Sequence, residues 1–118
     1  MKTLFLAAMA LAGASMGVQA TTITQPPAAS TATSVQAGMD LARSKGCMAC
    51  HAVDRRLVGP SFREIAGRYR NDSTAEARMA EVILKGGRGA WGPIPMPASR
   101  NVSQEEAVQL SRWVLAHQ

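Results

Sequence analysis

The chain has 118 residues, of which 47% are hydrophobic and 18% charged, and its formal net charge at pH 7 is +5. This length leaves room for one small domain with a thin core. A core of that size usually needs a metal, a cofactor or a covalent cross-link to be stable.

The N-terminus is typical of a secretory signal. Lys2 supplies a positive start, an apolar stretch from Leu4 to Leu11 follows, and Val18-Gln19-Ala20 is a small-residue cleavage site. Residues 1–20 are therefore predicted to be a cleaved signal peptide. The stretch is too weakly apolar for a comfortable transmembrane span, so no stable membrane insertion is expected. For an exported protein, nucleic acid is not an expected partner.

Residues 21–34 are rich in Thr, Ala, Pro and Ser and carry no charge. They cannot bury enough apolar surface to offset chain entropy, so a flexible linker is predicted. The folded domain is then expected to span residues 35–118. Ser34 is a suitable N-cap for its first helix, which Gly46 would end.

Residues 47–51 read Cys-Met-Ala-Cys-His, and they contain both cysteines of the chain. Cys47, Cys50 and His51 form the Cys-x-x-Cys-His signature of covalent haem attachment. In a helical segment, positions i, i+3 and i+4 share one face, so two thiols and one imidazole can reach the same porphyrin. The sequence therefore predicts one haem c, bound through Cys47 and Cys50, with His51 as an iron ligand.

Two other uses of this motif have little support. A zinc site needs a second Cys or His pair, which the chain lacks. A thioredoxin-like redox pair needs a βαβ context, and no strand-like runs flank the motif.

Three more helices are predicted after the motif. Their starts are marked by Gly59-Pro60 before Phe62, by Ser73 or Thr74, and by a capping box from Ser103 to Glu106. Gly86-Gly87 would end the third helix, and a loop rich in Gly and Pro over residues 86–101 precedes the fourth. Helical spacing predicts a buried stripe on the last helix, formed by Ala107, Leu110, Trp113 and Val114.

The second axial ligand of the iron has five candidates, which are Met39, Met48, Met79, Met96 and His117. Met39 and Met79 lie on apolar helical stripes that favour core packing. Met48 lies inside the haem motif, and His117 is predicted to be an exposed imidazole near the end of the last helix. Met96 is flanked by Pro95 and Pro97, which fix the loop and can hold a thioether in place. Met96 is therefore the predicted ligand.

Ligation by histidine and methionine raises the reduction potential and leaves no axial position open for oxygen or substrate. Such an iron can only alternate between ferric and ferrous states. The pattern favours outer-sphere electron transfer over catalysis.

The domain resembles the small bacterial class I cytochromes c that feed nitrite reductases or terminal oxidases. The resemblance covers residues 35–118 and is carried by the haem motif, Val58-Gly59-Pro60 and the string Trp91-Gly-Pro-Ile-Pro-Met96-Pro. It implies an all-α fold with about four helices around one covalent haem, and with the N- and C-terminal helices packed together. It also implies a periplasmic location.

The resemblance implies specific roles for two further residues. The Pro60 carbonyl would accept the Nδ1 proton of His51, and Trp91 would donate its indole N–H to a haem propionate or cover the haem edge. Relatives often carry a propionate-binding arginine where this chain has Val82, and Arg88 is a candidate replacement. Relatives also place an asparagine soon after the ligand methionine. Here the candidates are Ser99 and Asn101.

Arg55, Arg56, Arg63, Arg68 and Arg70 form a basic cluster after the haem motif. A solvated surface is one interpretation, and a docking face for an acidic redox partner is the other. The leading hypothesis is a monomeric periplasmic carrier of single electrons between a membrane respiratory complex and a terminal reductase or oxidase, with no enzyme activity. The alternatives are a haem subunit of a periplasmic dehydrogenase and a ligand-binding haem protein with an open iron site.

Overall fold

The computed structural model describes residues 27–118, and the predicted signal peptide lies outside this part of the chain. The described chain forms four helices: α1 (Pro27–Ser44), α2 (Phe62–Arg68), α3 (Ala75–Lys85) and α4 (Gln104–Leu115). A 3-10 turn at Cys47–Ala49 follows α1, and the described residues form no strand beyond isolated bridges. The predicted all-α class is confirmed.

The start of α1 differs from the prediction. The helix begins at Pro27 and not after Ser34, whose hydroxyl instead donates to the Thr31 carbonyl at 2.8 Å. Proline is well tolerated in the first turn of a helix, and alanine has the highest helix propensity of the residues, so the sequence after Pro27 favours helical backbone. Residues 31–37 are exposed. The helix thus includes residues 27–34 of the predicted linker, while residues 21–26 lie outside the described part, and the division of the chain into linker and domain stays a prediction.

Two helices begin with complete capping boxes. In each, a serine hydroxyl accepts from the backbone N–H of a glutamate, whose carboxylate accepts from the serine N–H. The pairs are Ser61 with Glu64 and Ser103 with Glu106. The second box was predicted, and the first is present as the same Ser-x-x-Glu pattern. The third helix begins after Thr74, as expected.

The core lies where α4 packs against the three other helices. The predicted stripe of α4 is buried, with Ala107, Leu110, Trp113 and Val114 all below a tenth exposed. The N- and C-terminal helices meet at Gly38, where an added Cβ would lie 2.1 Å from Cδ1 of Trp113. Six of the twelve buried hydrophobic residues described are alanines, so the core carries few large side chains. None of the helices within residues 27–118 has the length and apolar character needed to cross a membrane.

Candidate haem site

The Cys-x-x-Cys-His segment is a tight turn. Gly46 enters it in the left-handed conformation with φ of 79°, which glycine adopts without strain. The N–H groups of Cys50 and His51 both donate to the Cys47 carbonyl, at 3.2 and 3.0 Å. This geometry brings the motif side chains together within one turn, as their spacing predicts. Both thiols are half-buried, and burial raises the pKa of the Cys47 thiol.

His51 is buried and its orientation is determined by neighbours on both sides. Its Nδ1 lies 2.7 Å from the Pro60 carbonyl oxygen. A carbonyl can only accept, so Nδ1 carries the proton and Nε2 keeps a free lone pair. The ring also stacks on Phe62, with centroids 5.5 Å apart and planes 21° apart. The imidazole is therefore held in the tautomer that a metal requires.

Met96 lies in the loop between α3 and α4, and its side chain is half-buried against the core. The backbone of Met96 pairs with Gly87 through two hydrogen bonds, of 2.8 and 3.0 Å. A third bond, from the Ser99 N–H to the Ile83 carbonyl at 2.9 Å, holds the other side of the residue to α3. These bonds fix the loop at the point where the thioether leaves it.

A cavity of about 970 Å³ opens between these segments. All six predicted site residues line it: Cys47, Cys50, His51, Pro60, Trp91 and Met96. Apolar side chains of three helices, including Phe62, Ile65, Ile83 and Leu110, complete the wall. A covalently attached haem with histidine and methionine ligands needs a large apolar cavity. The wall of that cavity has to supply two thiols, an unprotonated imidazole nitrogen and a thioether sulfur. The residues present therefore fit a covalently attached haem.

Trp91 is half-buried at the edge of the cavity, among basic and aromatic side chains. The Arg68 guanidinium lies 4.5 Å from the centre of the Trp91 ring, and that of Arg56 lies 5.9 Å away. Tyr69 packs edge-on against Trp91 with centroids 6.4 Å apart. Arg68 also donates to the Ala90 carbonyl. These contacts fix the indole next to the site and place positive charge beside it.

The other residues named from the sequence lie either at the cavity or in the core, and Met79 lies at both. Val82, Arg88, Ser99 and Asn101 line the cavity, while Met39, Met48 and Met79 pack against the core, and Met79 also lines the cavity. His117 is not the exposed imidazole that was predicted. Its ring is half-buried, packs edge-on against Trp113 and approaches Phe62, and its Nδ1 lies 2.8 Å from the Trp113 carbonyl oxygen. The folding back of the last residues onto α4 buries it.

Sequence reasoning missed the contacts of Phe62 with His51 and of Arg68 with Trp91, and the close approach of Gly86 to the Met96 backbone. Phe62 was expected only on the apolar face of α2, and Gly86 only as the end of α3. The stacking of Phe62 on His51 and the packing of Arg68 on Trp91 join segments distant in sequence, which periodicity does not report. A signal for Gly86 existed in the Gly-Gly pair, which is more than a helix end requires.

The fold and the cavity define a small all-α protein built around a haem that two cysteines attach. A comparison with protein families agrees, because the Cytochrome c family model matches residues 35–118. Cytochrome c-551 of Pseudomonas aeruginosa is 46% identical over 76 residues, which cover 64% of this chain and 72% of that protein. Cytochrome c-551 of Azotobacter vinelandii is 45% identical over 82 residues, covering 70% and 99% respectively.

Solved structures give the same result. The crystal structure of wild-type cytochrome c552 from Nitrosomonas europaea has a TM-score of 0.67 and 40% identity. The match covers 68% of this chain and 99% of that one. The chain belongs to the cytochrome c family, has the class I fold and carries one haem c attached through Cys47 and Cys50. This kinship with cytochromes c-551 and c-552 supports electron transfer as its function.

Proposed function

We propose that this protein is a periplasmic carrier of single electrons between a membrane respiratory complex and a terminal reductase or oxidase. The bound haem supplies a one-electron ferric–ferrous couple. His51 and Met96 are the axial ligands in this proposal. The observation that carries it is the hydrogen bond from His51 Nδ1 to the Pro60 carbonyl, because it leaves Nε2 free in the same cavity that Met96 lines.

An exposed apolar edge of the cavity is the proposed path for the electron. Val58 and Ile94 are 57% and 63% exposed and both line the cavity, so the apolar wall reaches the surface at these residues. A partner that packs against them approaches the cavity with little polar surface to desolvate. Outer-sphere transfer through this edge needs no open position at the iron, which is consistent with a carrier and not with an enzyme.

The basic cluster supports an acidic partner. Arg55, Arg63 and Arg70 are exposed and make no ion pair within residues 27–118. Arg56 is paired with Glu64 at 2.7 Å, and Arg68 is engaged with Ala90 and Trp91. The three free guanidinium groups therefore form the part of the cluster that is available to steer an anionic surface.

Absorption spectra of the purified holoprotein test the ligand assignment. The ferric form is expected to show the weak far-red band of a sulfur–iron bond, and the ferrous form sharp low-spin bands. Met96→Leu should abolish the far-red band, whereas the control Met79→Leu, which alters another methionine of the cavity wall, should keep it. High-spin spectra of the unmodified protein would overturn the carrier proposal in favour of an open ligand-binding site.

A kinetic experiment tests the charged face. Oxidation of the ferrous protein by ferricyanide, an anion, should be several-fold slower when Arg55, Arg63 and Arg70 are all replaced by Gln, and the difference should fade with salt. The control replaces Arg43, Lys85 and Arg112 by Gln, which changes the net charge equally at other exposed sites. Equal rates in the two variants would mean that the cluster does not steer the approach.

A purification experiment tests the carrier proposal against the dehydrogenase-subunit alternative. The untagged holoprotein is expected to elute from gel filtration of a periplasmic extract as a monomer. Stable co-elution with a larger subunit that has dehydrogenase activity would support the alternative.

A further inference from the structure

We propose that Gly86 is a positioning residue for the Met96 thioether, because the missing side chain of Gly86 leaves the space that the Met96 backbone occupies. The proposal rests on the assignment of Met96 as an iron ligand. Gly86 has φ of 81° and ψ of 170°. This conformation is essentially restricted to glycine, and a residue held in it is a reason to look for a function nearby.

Termination of α3 does not account for this conformation. Glycines that end helices usually adopt the left-handed helical conformation, with ψ of about +47°. Gly86 closes the helix by donating to the Val82 carbonyl at 2.8 Å, but its ψ turns the chain in a different direction. That direction brings Gly87 alongside Met96.

The backbone of Met96 is held against this glycine pair. Gly87 donates to the Met96 carbonyl at 3.0 Å, and Met96 donates to the Gly87 carbonyl at 2.8 Å. A Cβ added to Gly86 would lie 2.8 Å from the Met96 carbonyl oxygen and 3.1 Å from the Ala98 N atom. The first distance is too short for any real Cβ and the second is tight, since ordinary contacts of a Cβ lie at 3.4–4 Å, and both involve backbone, which cannot rotate away.

A side chain at Gly86 would therefore displace the segment from Met96 to Ala98 as a unit. The sulfur of Met96 would move with it, since the flanking Pro95 and Pro97 restrict the backbone adjustments that could compensate. A metal ligand is expected within about 0.2 Å of its standard bond length, so a displaced sulfur no longer meets the iron at that length. The expected consequence is a weaker sulfur–iron bond in a domain whose helices are unchanged.

The same loop contains a matched control. Gly89 has φ of 83°, nearly that of Gly86, but a Cβ at Gly89 would meet no atom within 4 Å. An alanine at either position has to adopt a positive φ, yet only the alanine at 86 collides with the Met96 backbone. Both variants carry the cost of a positive φ, so a larger effect of Gly86→Ala reports what is particular to position 86, namely its ψ of 170° and the collision with the Met96 backbone.

The experiment titrates ferric holoproteins with imidazole and follows the far-red sulfur–iron band. Gly86→Ala is expected to lose the band at about tenfold lower imidazole concentration than the unmodified protein, the factor that an overpacked methyl group typically produces. Gly89→Ala should stay within about twofold. Equal midpoints for the two variants would overturn the proposal. Absence of the band in the unmodified protein, or its survival in Met96→Leu, would instead refute the ligand assignment.

Hydrogen exchange on the unmodified holoprotein keeps the proposal testable if Gly86→Ala does not fold. Linkage is reciprocal, so a pairing that holds the sulfur must loosen when the sulfur is displaced. Saturating imidazole should accelerate exchange of the Gly87 and Met96 amides at least tenfold, and leave the Gly59 amide, which donates to the Cys50 carbonyl, unchanged. Exchange of Gly87 and Met96 that does not respond to imidazole would contradict the proposal.

Discussion

The histidine side and the methionine side of the cavity are held in different ways. On the histidine side, residues 50–63 are joined by a dense set of local bonds. Gly59 donates to Cys50 at 2.8 Å, Phe62 donates to Ala52 at 2.9 Å, and the His51 ring is bonded and stacked. Because these partners lie within about ten residues of each other, closing the segment costs little chain entropy.

On the methionine side, residues 88–95 are mostly exposed and donate no backbone bond to another part of residues 27–118. The Met96 backbone is held at the base of this loop, by the pair of bonds to Gly87 and the neighbouring bond from Ser99 to Ile83. The middle of the loop is tied to α2 through side chains, because Arg68 donates to the Ala90 carbonyl and packs on Trp91. The difference indicates that the methionine side opens first under strain or ligand competition. A locally closed segment and a long exposed loop therefore differ in the free energy needed to open them.

The largest effect is expected when the haem attachment is removed, because the histidine side and the methionine side of the cavity then both lose the group between them. With Cys47 and Cys50 both replaced by Ala, no haem is attached and the cavity of about 970 Å³ remains inside a core rich in alanine. The domain should lose its stability, which for proteins of ordinary size is about 5–15 kcal/mol. Circular dichroism should show little helix and no cooperative thermal transition. A folded, cooperative domain without haem would show that the two sides need no common centre.

Met96→Ala tests the methionine side alone. The variant should retain covalent haem, because the histidine side is unaffected, but its reduction potential should fall by on the order of 0.2 V, a fraction of the roughly 0.8 V range that axial ligands span. Spectroelectrochemical titration measures this. Met79→Ala, which truncates another methionine lining the cavity, should shift the potential much less. An unchanged potential in Met96→Ala would rule out this residue as the ligand.

Gly59→Ala tests the histidine side. An added Cβ would lie 2.5 Å from Cε1 and 2.9 Å from Nδ1 of His51, whose ring is confined by Phe62 and the Pro60 carbonyl. The overpacking should lower the free energy of unfolding by about 1–3 kcal/mol, measured by urea titration of the holoprotein. Gly67→Ala, in the open surface of α2, should raise it by about 0.5–1 kcal/mol. A neutral result at Gly59 would mean that the histidine side is less tightly packed than its contacts indicate.

The smallest expected effect concerns a surface charge on the histidine side. The Ser61 backbone N–H, and next the Arg56 side chain, lower the pKa of Glu64 to about 2. A depressed carboxylate pKa contributes stability above the unfolded value of about 4.3, and the contribution is lost as pH falls toward 2. Glu64→Gln should therefore be less stable than the unmodified protein at pH 6, with the difference vanishing near pH 2.

Urea unfolding at a series of pH values measures this effect. Glu105→Gln is the control, because it removes a first-turn carboxylate of α4 that makes no ion pair within the described chain. Comparing the free energies of unfolding of the two variants at each pH separates the loss of the Glu64 contacts from the loss of a first-turn carboxylate. A difference at Glu64 that persisted at pH 2 would mean that the carboxylate charge is not its cause.

Much of this protein was determined by short-range sequence patterns. The Cys-x-x-Cys-His spacing, the capping box at Ser103 and the stripe of α4 each depend on residues within one or two helical turns. The structures that these patterns form could be predicted, because local backbone geometry alone brings the interacting groups together. The prediction that Met96 lies at the site followed in the same way from the prolines beside it.

The tertiary structure decided the features that join distant segments. The stacking of Phe62 on His51, the packing of Arg68 on Trp91 and the burial of His117 against Trp113 depend on how helices and loops pack together. The close approach of Gly86 to the Met96 backbone likewise joins residues that lie ten positions apart in the sequence. Sequence periodicity carries no record of such contacts, because long-range packing selects one arrangement among many that the local patterns allow equally well.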